Sequence, residues 1–498
     1  MSGIAVEGAC LVSEVGEIAV SYIAGRWCRH NSAGVRTLEL YDPSLGTSSV
    51  RLICAGKLEV DAAVDSANRA LQGPWRRYAP QARMLILHQL VAAIERRREM
   101  FVSTIAAEMG APIDYARREH VTKAFAHIQA TLDALNMLAD TVNSADALLE
   151  HQVRYERAGV VALITPWNWP LNQIVVKVGA AIAAGCTMVL KPSELTPETS
   201  LIFAECVHDT DLPDGVFNMV LGDNLAGTLL ASHPDVSRVS FTGSTETGLE
   251  VARLAAVGLK PVVLELGGKS PTIVFEDVNV EVAVNQAIDC CFRNSGQTCN
   301  AGSRLLVHQS IYDQVIDLAY TRCAGLQLGS AHKSGSHLGP VASEMHKKRI
   351  LTHIANAVED GAVLICGSDF IPSELESGSF VRPTIFADVR PEMRLFQDEV
   401  FGPVLAITSF KNEEEAIALA NNSRYGLAAY VHTTNLEQAC RVTGALDVGM
   451  VQINGCKRLA SAPFGGRKGS GMGVEAALWG IRSFQAIKSI SGVMASAT

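Results

Sequence analysis

The apolar positions along the chain change their period near residue 158. Before it, residues 59–140 read mainly as helices. EVDAAVDSANRALQG and QARMLILHQLVAAIERRREMFVSTIAAEMG place apolar residues at helical spacing, and each ends at a glycine. After it, short apolar runs alternate with helical ones. GVVALIT predicts a buried strand, and PLNQIVVKVGAAIAAG a helix opened by proline and closed by Gly185. CTMVLK is the next strand. The alternation continues through a helix near 198–209, VFNMVL, a helix near 225–232, VSRVSF, a helix from Ser244 and PVVLEL. Strands alternating with helices predict a parallel sheet covered on both faces, an α/β fold. A second block follows Glu265, with strand PTIVF, a helix near 280–292 and then a loop. It predicts a second α/β domain facing the first across a cleft. The tail IRSFQAIKSI has strand character and stands far from both blocks.

Composition narrows the classes. Hydrophobic residues are 48% and charged residues 19% of 498, enough to bury a large core, and the length suggests more than one domain. A net charge of −9 argues against a nucleic-acid partner, which needs clustered Lys and Arg. The most apolar region, 158–190, is broken by Pro166, Asn168, Pro170, Gln173 and Lys177, so no membrane span is expected there. MSGIAVEGACLVSEVGEIAV has acids and no base ahead of its apolar stretch, unlike a secretory signal. The twelve cysteines include no CxxC pair. No metal site is expected, and most of the thiols read as reduced core residues of a cytoplasmic protein.

Cys299 is different. In RNSGQTCNAGSR it sits among small polar residues, the setting of a reactive thiol rather than a packed one. Other polar residues fall at strand ends, where parallel sheets bind ligands: VALIT runs into PWNWP, TMVLK into PSE, and VSFTG into STETG. Singly these signals are bland. FTGSTETG is a glycine-bearing turn into a helix, LKPSE suits a solvated turn with an ion pair, and PWNWP suits a rigid turn. GlyLysSer at 268–270 lacks the first glycine of a phosphate loop, since position 263 is valine.

Taken in order, PWNWP, KPSE, FTGST, ELGGK, GQTCNAGSR, DEVFGPV and PFGG resemble the aldehyde dehydrogenase superfamily, from about residue 20 to 490. The resemblance implies three parts: a Rossmann-like NAD-binding domain (1–134 and 158–267), an α/β catalytic domain (268–478) and a small β oligomerisation element (135–157 and 479–498). It also implies a homodimer or homotetramer. Cys299 matches the family's nucleophile, Asn168 and the Cys299 backbone N–H its oxyanion donors, Glu265 its general base, and Lys177 a lysine kept near that glutamate. Thr165, Trp167, Lys191, Ser193, Glu194, Gly243, Ser244, Glu399 and Phe401 match cofactor contacts. Trp169, Arg293, Thr298, Leu459 and Phe464 are the candidate substrate pocket. Departures from the pattern are Val474 for a frequent arginine, Val176 for a frequent aromatic (implying a wider tunnel), and Arg293 for an aromatic or small residue. The mouth loop NGCKRLASAPFGG adds Lys457 and Arg458.

The implied reaction is NAD-dependent oxidation of an aldehyde to the acid through a cysteine thiohemiacetal and thioester, with glutamate-activated water releasing the product. A CoA-acylating relative would commonly lack the glutamate at 265, and a non-catalytic homologue could lose nucleophile, amide or base; all three are present. The substrate stays open between a semialdehyde acid, for which Arg293, Lys457 and Arg458 speak, and an apolar aliphatic, terpenoid or aromatic aldehyde. A carboxylate at Glu194 near the 2′-hydroxyl would repel a 2′-phosphate, favouring NAD over NADP. Glu194→Gln is therefore expected to narrow the ratio of kcat/KM with NAD to that with NADP, and an unchanged ratio would show that this carboxylate does not read the ribose.

Overall fold

The computed structural model describes residues 16–30, 36–138, 141–143, 151–367 and 371–491. The N-terminal segment 1–15 and the parts of the expected oligomerisation element at 139–140, 144–150 and 492–498 lie outside these residues.

The first sheet has eight strands. Its centre is parallel, in the order Val262–Glu265, Arg238–Thr242, Val160–Ile164, Thr187–Lys191, Phe217–Met219. Every residue of Val160–Ile164 and Thr187–Lys191 is buried, because helices cover both faces and leave no face for polar alternation. The helix Pro170–Ala184 follows the first of these strands. It starts with proline, where no amide hydrogen is needed, and closes at Gly185 with φ +78°. Antiparallel strands complete both ends: Val20–Ile23 and Arg26–Arg29 at one, Gly471–Met472 at the other. That last strand comes from far along the chain and pairs Gly471 with Glu265 and Met472 with Leu264.

A second sheet of seven strands runs Val363–Cys366, Thr384–Ala387, Val404–Phe410, Arg304–His308, Pro271–Val274, Ala428–His432, Met450–Ile453, all parallel but the first. A separate three-stranded sheet joins Thr141–Asn143, His151–Arg157 and Gln485–Ser491. The tail is thus only half as expected. Its first residues, Ile481–Ser483, close the helix Ala477–Ser483, whose Ile481 is buried in the same core as Ile174 and Val178 of helix Pro170–Ala184. A pair of apolar side chains one helical turn apart outweighs the strand character of so short a run.

Arg304 ties the second sheet to its covering helix. It is 1% exposed, and its guanidinium donates to the carbonyls of Lys269 (2.8 Å), Leu419 (3.0 Å), Ala420 (2.8 Å) and Asn422 (3.4 Å). Three of these are at the C-terminus of helix Glu413–Asn421 or just beyond it, where carbonyls lack partners and a cation is favoured. Arg304→Met removes these donors and strands the Lys269 and Ala420 carbonyls, while Leu419 and Asn422 keep the Asn422 N–H and the Gln397 amide. It is expected to destabilise the fold by about 3 kcal/mol or more, since each orphaned buried acceptor costs ~1–3 kcal/mol; urea unfolding of the two proteins measures it, and an unchanged midpoint would show the acceptors are satisfied otherwise.

Candidate functional site

The helix Val280–Phe292 ends at Arg293, and the chain then makes three left-handed steps: Asn294 (φ 55°), Ser295 (φ 55°) and Gly296 (φ 75°). Such a run is costly for L-residues and persists only where surroundings hold it. They do. Asn294 donates its amide to the carbonyls of Asn168 (2.9 Å) and Gln297 (3.2 Å) and accepts from His120 (3.0 Å). The Ser295 hydroxyl donates to Gly339 (2.9 Å). Gln297, fully buried, donates its side chain to Asn294 (3.1 Å) and accepts from Ala342 N–H (2.8 Å). A Cβ on Gly296 would lie 2.1 Å from the Gly402 carbonyl, so only glycine lets the two segments meet. Cys299 emerges from this turn half-buried.

Asn168, 3% exposed, donates one amide hydrogen to the Gln297 carbonyl at 3.0 Å and so has a fixed orientation with a second donor to spare. Glu265 ends the strand Val262–Glu265, is 2% exposed, and neither carboxyl oxygen has a hydrogen-bond partner. Burial, reinforced by Glu475, pushes it well above the ordinary carboxylate range, with Lys177 and Arg458 pulling the other way. Burial also pushes the Cys299 thiol up to about 12, helped by Glu399 and Glu265 and opposed by Arg293. Lys177 is expected beside Glu265, yet its ammonium is taken by Glu475 and by the Ser240 hydroxyl (2.8 Å), which in turn donates to Glu475 at 3.0 Å.

On the other side, Lys191 and Glu194 form an ion pair of 3.0 Å at the end of strand Thr187–Lys191. Burial raises Glu194, but Lys191 and a backbone N–H outweigh it and hold the carboxyl below its usual range. The Thr165 hydroxyl, at the end of the neighbouring strand, is buried without a partner, while Ser193 accepts from Leu195 N–H at 3.2 Å. Ser244 caps the helix Thr245–Val257, accepting from Thr247 N–H at 3.2 Å, and Gly243 before it leaves room for the Phe241 ring. Glu399 accepts from Gly268 N–H at 3.0 Å, and burial raises its carboxyl to about 7. A Cβ on Gly267 would strike that carboxylate at 2.1 Å, and one on Gly268 the Cys299 carbonyl at 2.5 Å. Gly268 meets backbone and is therefore required, whereas a side chain at Gly267 would displace the Glu399 carboxylate. The Trp167 and Phe401 rings stand perpendicular at 5.6 Å, with Phe401 at φ +56° and its carbonyl accepting from His346 (2.8 Å).

Cys299 opens onto a cavity of about 890 Å³ whose wall includes Trp169, Arg293, Thr298 and Phe464. Leu459 is corrected: it is 72% exposed and outside the cavity wall, which its neighbour Ala460 joins instead. The segment turns here, with Ala462 N–H donating to the Leu459 carbonyl at 3.1 Å, and the turn leaves the leucine side chain outward. Val176 does not line the cavity either; Asn172 and Gln173, a turn closer to Trp169, do. Arg293 lines the wall but donates to Asn300 Oδ1 (2.8 Å) and the Tyr430 hydroxyl (3.4 Å). Arg458 donates to the Ala462 carbonyl (2.5 Å) and to His127 (3.1 Å), over the Phe464 ring. The six-residue π-turn Ala116–Val121 stacks His120 on Trp169 at 4.2 Å. His120, Asn294, Gln297 and Glu475 were not among the sequence candidates.

The aldehyde dehydrogenase family model matches residues 27–490. The chain belongs to the aldehyde dehydrogenase family. It is 42% identical over 473 residues to a 3-succinoylsemialdehyde-pyridine dehydrogenase of Pseudomonas sp, covering 95% of this chain and 98% of that protein. Among solved structures it is similar to the aldehyde dehydrogenase of Bartonella henselae, with a TM-score of 0.93, 38% identity, and coverage of 95% of this chain and 99% of that one. It is also similar to aldehyde dehydrogenase C of Pseudomonas syringae in complex with NAD+ and octanal, with a TM-score of 0.92, 36% identity, and coverage of 96% and 97%. Like its relatives, the chain is an NAD-dependent aldehyde dehydrogenase with an aldehyde as substrate. The strand-end ion pair, the orphaned Thr165 hydroxyl and the glycine cradle around Glu399 fit that cofactor. No described helix is long and apolar enough to cross a membrane.

Gly296→Ala is expected to lower NADH production by about 100-fold in a folded protein, because a shift of ~1 Å at a reacting atom costs that much. Initial rates with an aldehyde and NAD, beside a circular-dichroism spectrum, decide it; near-normal rates would mean the turn yields without moving Cys299.

Proposed function

We propose that Cys299 is the nucleophile, that the Asn168 amide and the Cys299 backbone N–H receive the oxyanion, and that Glu265 is the base that activates water. The observation that carries this reading is a buried carboxyl with both oxygens unpartnered, sharing one site with a thiol that faces the cavity. Buried polar groups are almost always satisfied, and an orphan pair of oxygens marks a place where water or substrate enters.

Chemistry follows from these positions. The thiol gives up its proton to solvent water and the sulfur attacks the aldehyde carbon, placing negative charge where preorganised N–H donors meet it. NAD, when bound, supplies the hydride acceptor. Loss of hydride leaves a thioester on Cys299. Glu265 takes a proton from water, the water oxygen attacks the thioester carbonyl, and the sulfur leaves as the acid departs. Lys177 positions rather than reacts: it holds Glu475 and Ser240, and so tempers the charge next to Glu265. Lys191, Ser193 and Glu194 are assigned to the adenosine ribose, and Gly243 and Ser244 to the pyrophosphate. Glu399, Thr165, Trp167 and Phe401 are assigned to the nicotinamide end. The division into an NAD-binding part (1–134 and 158–267), a catalytic part (268–478) and an oligomerisation part (135–157 and 479–498) belongs to the same reading. A homodimer or homotetramer is supported by the outer strand Gln485–Ser491, which presents Ile487 at 72% exposure on a sheet edge. A cytoplasmic location is supported by the eleven unpaired cysteines among the described residues. The semialdehyde named for the Pseudomonas sp relative supports an aldehyde that carries a second polar group.

Cys299→Ala is expected to abolish NADH production, whereas Glu265→Gln acylates and then stalls. Intact-mass measurement after mixing the second variant with aldehyde and NAD should find an acyl adduct on Cys299; free enzyme turning over normally would remove the assignment.

The pH profile has a defined sign. Glu265 and Cys299 both stand above their ordinary pKa, so the carboxylate and the thiolate gain population as pH rises. The unmodified enzyme is expected to show kcat rising from neutral into alkaline pH, and Glu265→Gln to lose the part of that rise that belongs to deacylation. A flat profile would show that neither group must shed a proton.

A further inference from the structure

The cavity wall carries more positive than negative side chains in a chain of net charge −9. Its cations are Arg118, Lys123, Arg293, Arg322, Lys457 and Arg458, and its acids Asp114, Glu119 and Asp289. The acids are already engaged. Asp289 pairs with Arg322 at 2.9 Å, Glu119 with Lys123 at 3.1 Å, and Asp114 with Arg117, outside the wall, at 3.5 Å. Arg293 and Arg458 have only neutral acceptors, and the Arg293 Nε is buried with no acceptor. Among the described residues neither Arg118 nor Lys457 has an anionic partner. Long cations at a surface normally turn to solvent, so four of them lining one cavity without anions is the feature to explain.

Lys123, Arg293 and Lys457 line the same cavity. The Lys123 ammonium sits 4.3 Å from the centre of the Trp169 ring, against the same wall as Arg293. Its charged form is disfavoured by burial first, then by Arg293, and also by Lys457, which brings it down to about 8 despite its pair with Glu119. Arg293 and Lys457 thus both oppose the charge on Lys123, and an anion bound beside that wall relieves the opposition. The residues also leave an approach: Lys457 is exposed at the mouth, and Arg293 keeps a buried N–H to give. Arginine presents donors in a fork that matches a carboxylate.

We propose that this enzyme selects aldehydes that carry a carboxylate, held among Lys123, Arg293 and Lys457 while the aldehyde carbon reaches Cys299. The proposal rests on the reading of Cys299 as nucleophile and names the substrate class for that site. Trp169, beneath Lys123, supplies an apolar wall for the carbons between the two ends of the substrate. The carboxylate binds in the ground state and the transition state alike, so its contribution falls on KM more than on kcat.

The test compares 4-oxobutanoate with butanal, equal in carbon number and different in charge, using the full chain with NAD. The acid is expected to have a kcat/KM about 10-fold higher or more, as a charge-assisted hydrogen bond allows, mainly through a lower KM. Rising ionic strength is expected to shrink that preference, since Lys457 is exposed and its field is screened. Lys457→Glu and Arg293→Gln are each expected to lower the ratio of acid to neutral kcat/KM by about 10-fold. Arg293→Gln also disturbs Asn300, so Lys457→Glu, on an exposed side chain, carries the decision if the arginine variant does not fold. Equal efficiency on both aldehydes, or a ratio that neither salt nor Lys457→Glu moves, would overturn the proposal and leave aldehyde oxidation at Cys299 standing. No NADH from either compound, nor from octanal or benzaldehyde, would overturn both.

Discussion

Everything at the reacting centre depends on the left-handed turn at Asn294–Gly296. Its backbone is unfavourable by itself, and it is held by partners from several parts of the chain. Asn168 comes from the end of the first sheet, His120 from the π-turn, and Gly339, Ala342 and Gly402 from loops of the second half. The same amide–carbonyl contacts that fix the turn fix Asn168, because the Gln297 carbonyl receives both the Asn168 and the Asn294 side chains. The Cys299 loop and the proposed oxyanion donor are therefore one rigid unit rather than two parts that must find each other. Preorganisation of this kind removes reorganisation from the barrier.

Around that unit the site is dry and rich in acids. Glu265, Glu399 and Glu475 all lie near Cys299 or near one another, and burial raises the first two. Lys177, shared by Glu475 and Ser240, is one buried counter-charge among them, and the buried Lys269 ammonium, with no hydrogen-bond partner, is another beside Glu399. Low dielectric makes each of these fields long-ranged. A thiol in such company is held toward its neutral form. The cationic wall of the substrate cavity works against the same acids from the opposite side, through Arg293 on Cys299 and Arg458 on Glu265.

The alternation of strands and helices from 158 onward was legible because parallel strands and their covering helices repeat a period that side-chain hydrophobicity alone reports. Cys299 stood out as a thiol among small polar residues, while Asn168 and Glu265, at strand ends, drew their expected roles from the family resemblance. What stayed hidden involves contact between segments distant in sequence. Glu475 is one acid after a glycine-rich run, and nothing local ties it to Lys177. His120 looks like an ordinary helix residue until a π-turn rotates it onto Trp169. Leu459 and Ala460 show the limit from the other side: facing is decided by one residue of register in an irregular loop, which hydrophobicity cannot resolve. The helix at Ala477–Ser483 was hidden because it is too short to show its period.

The strand Gly471–Met472 has a consequence for how the molecule comes into being. It seals the open edge of the first sheet beside Glu265, yet it is made far later than the strand it covers. Until then a nascent chain carries Val262–Glu265 as a bare sheet edge, the kind of surface that recruits neighbouring chains. Gly471 holds φ +127°, with its backbone against the Leu264 carbonyl so closely that a Cβ would lie 1.8 Å from it. The closing stitch thus tolerates little error. The edge beside Glu265 is therefore covered only once a segment from far along the chain has arrived, so the first sheet cannot be finished before the strands of the second have been made.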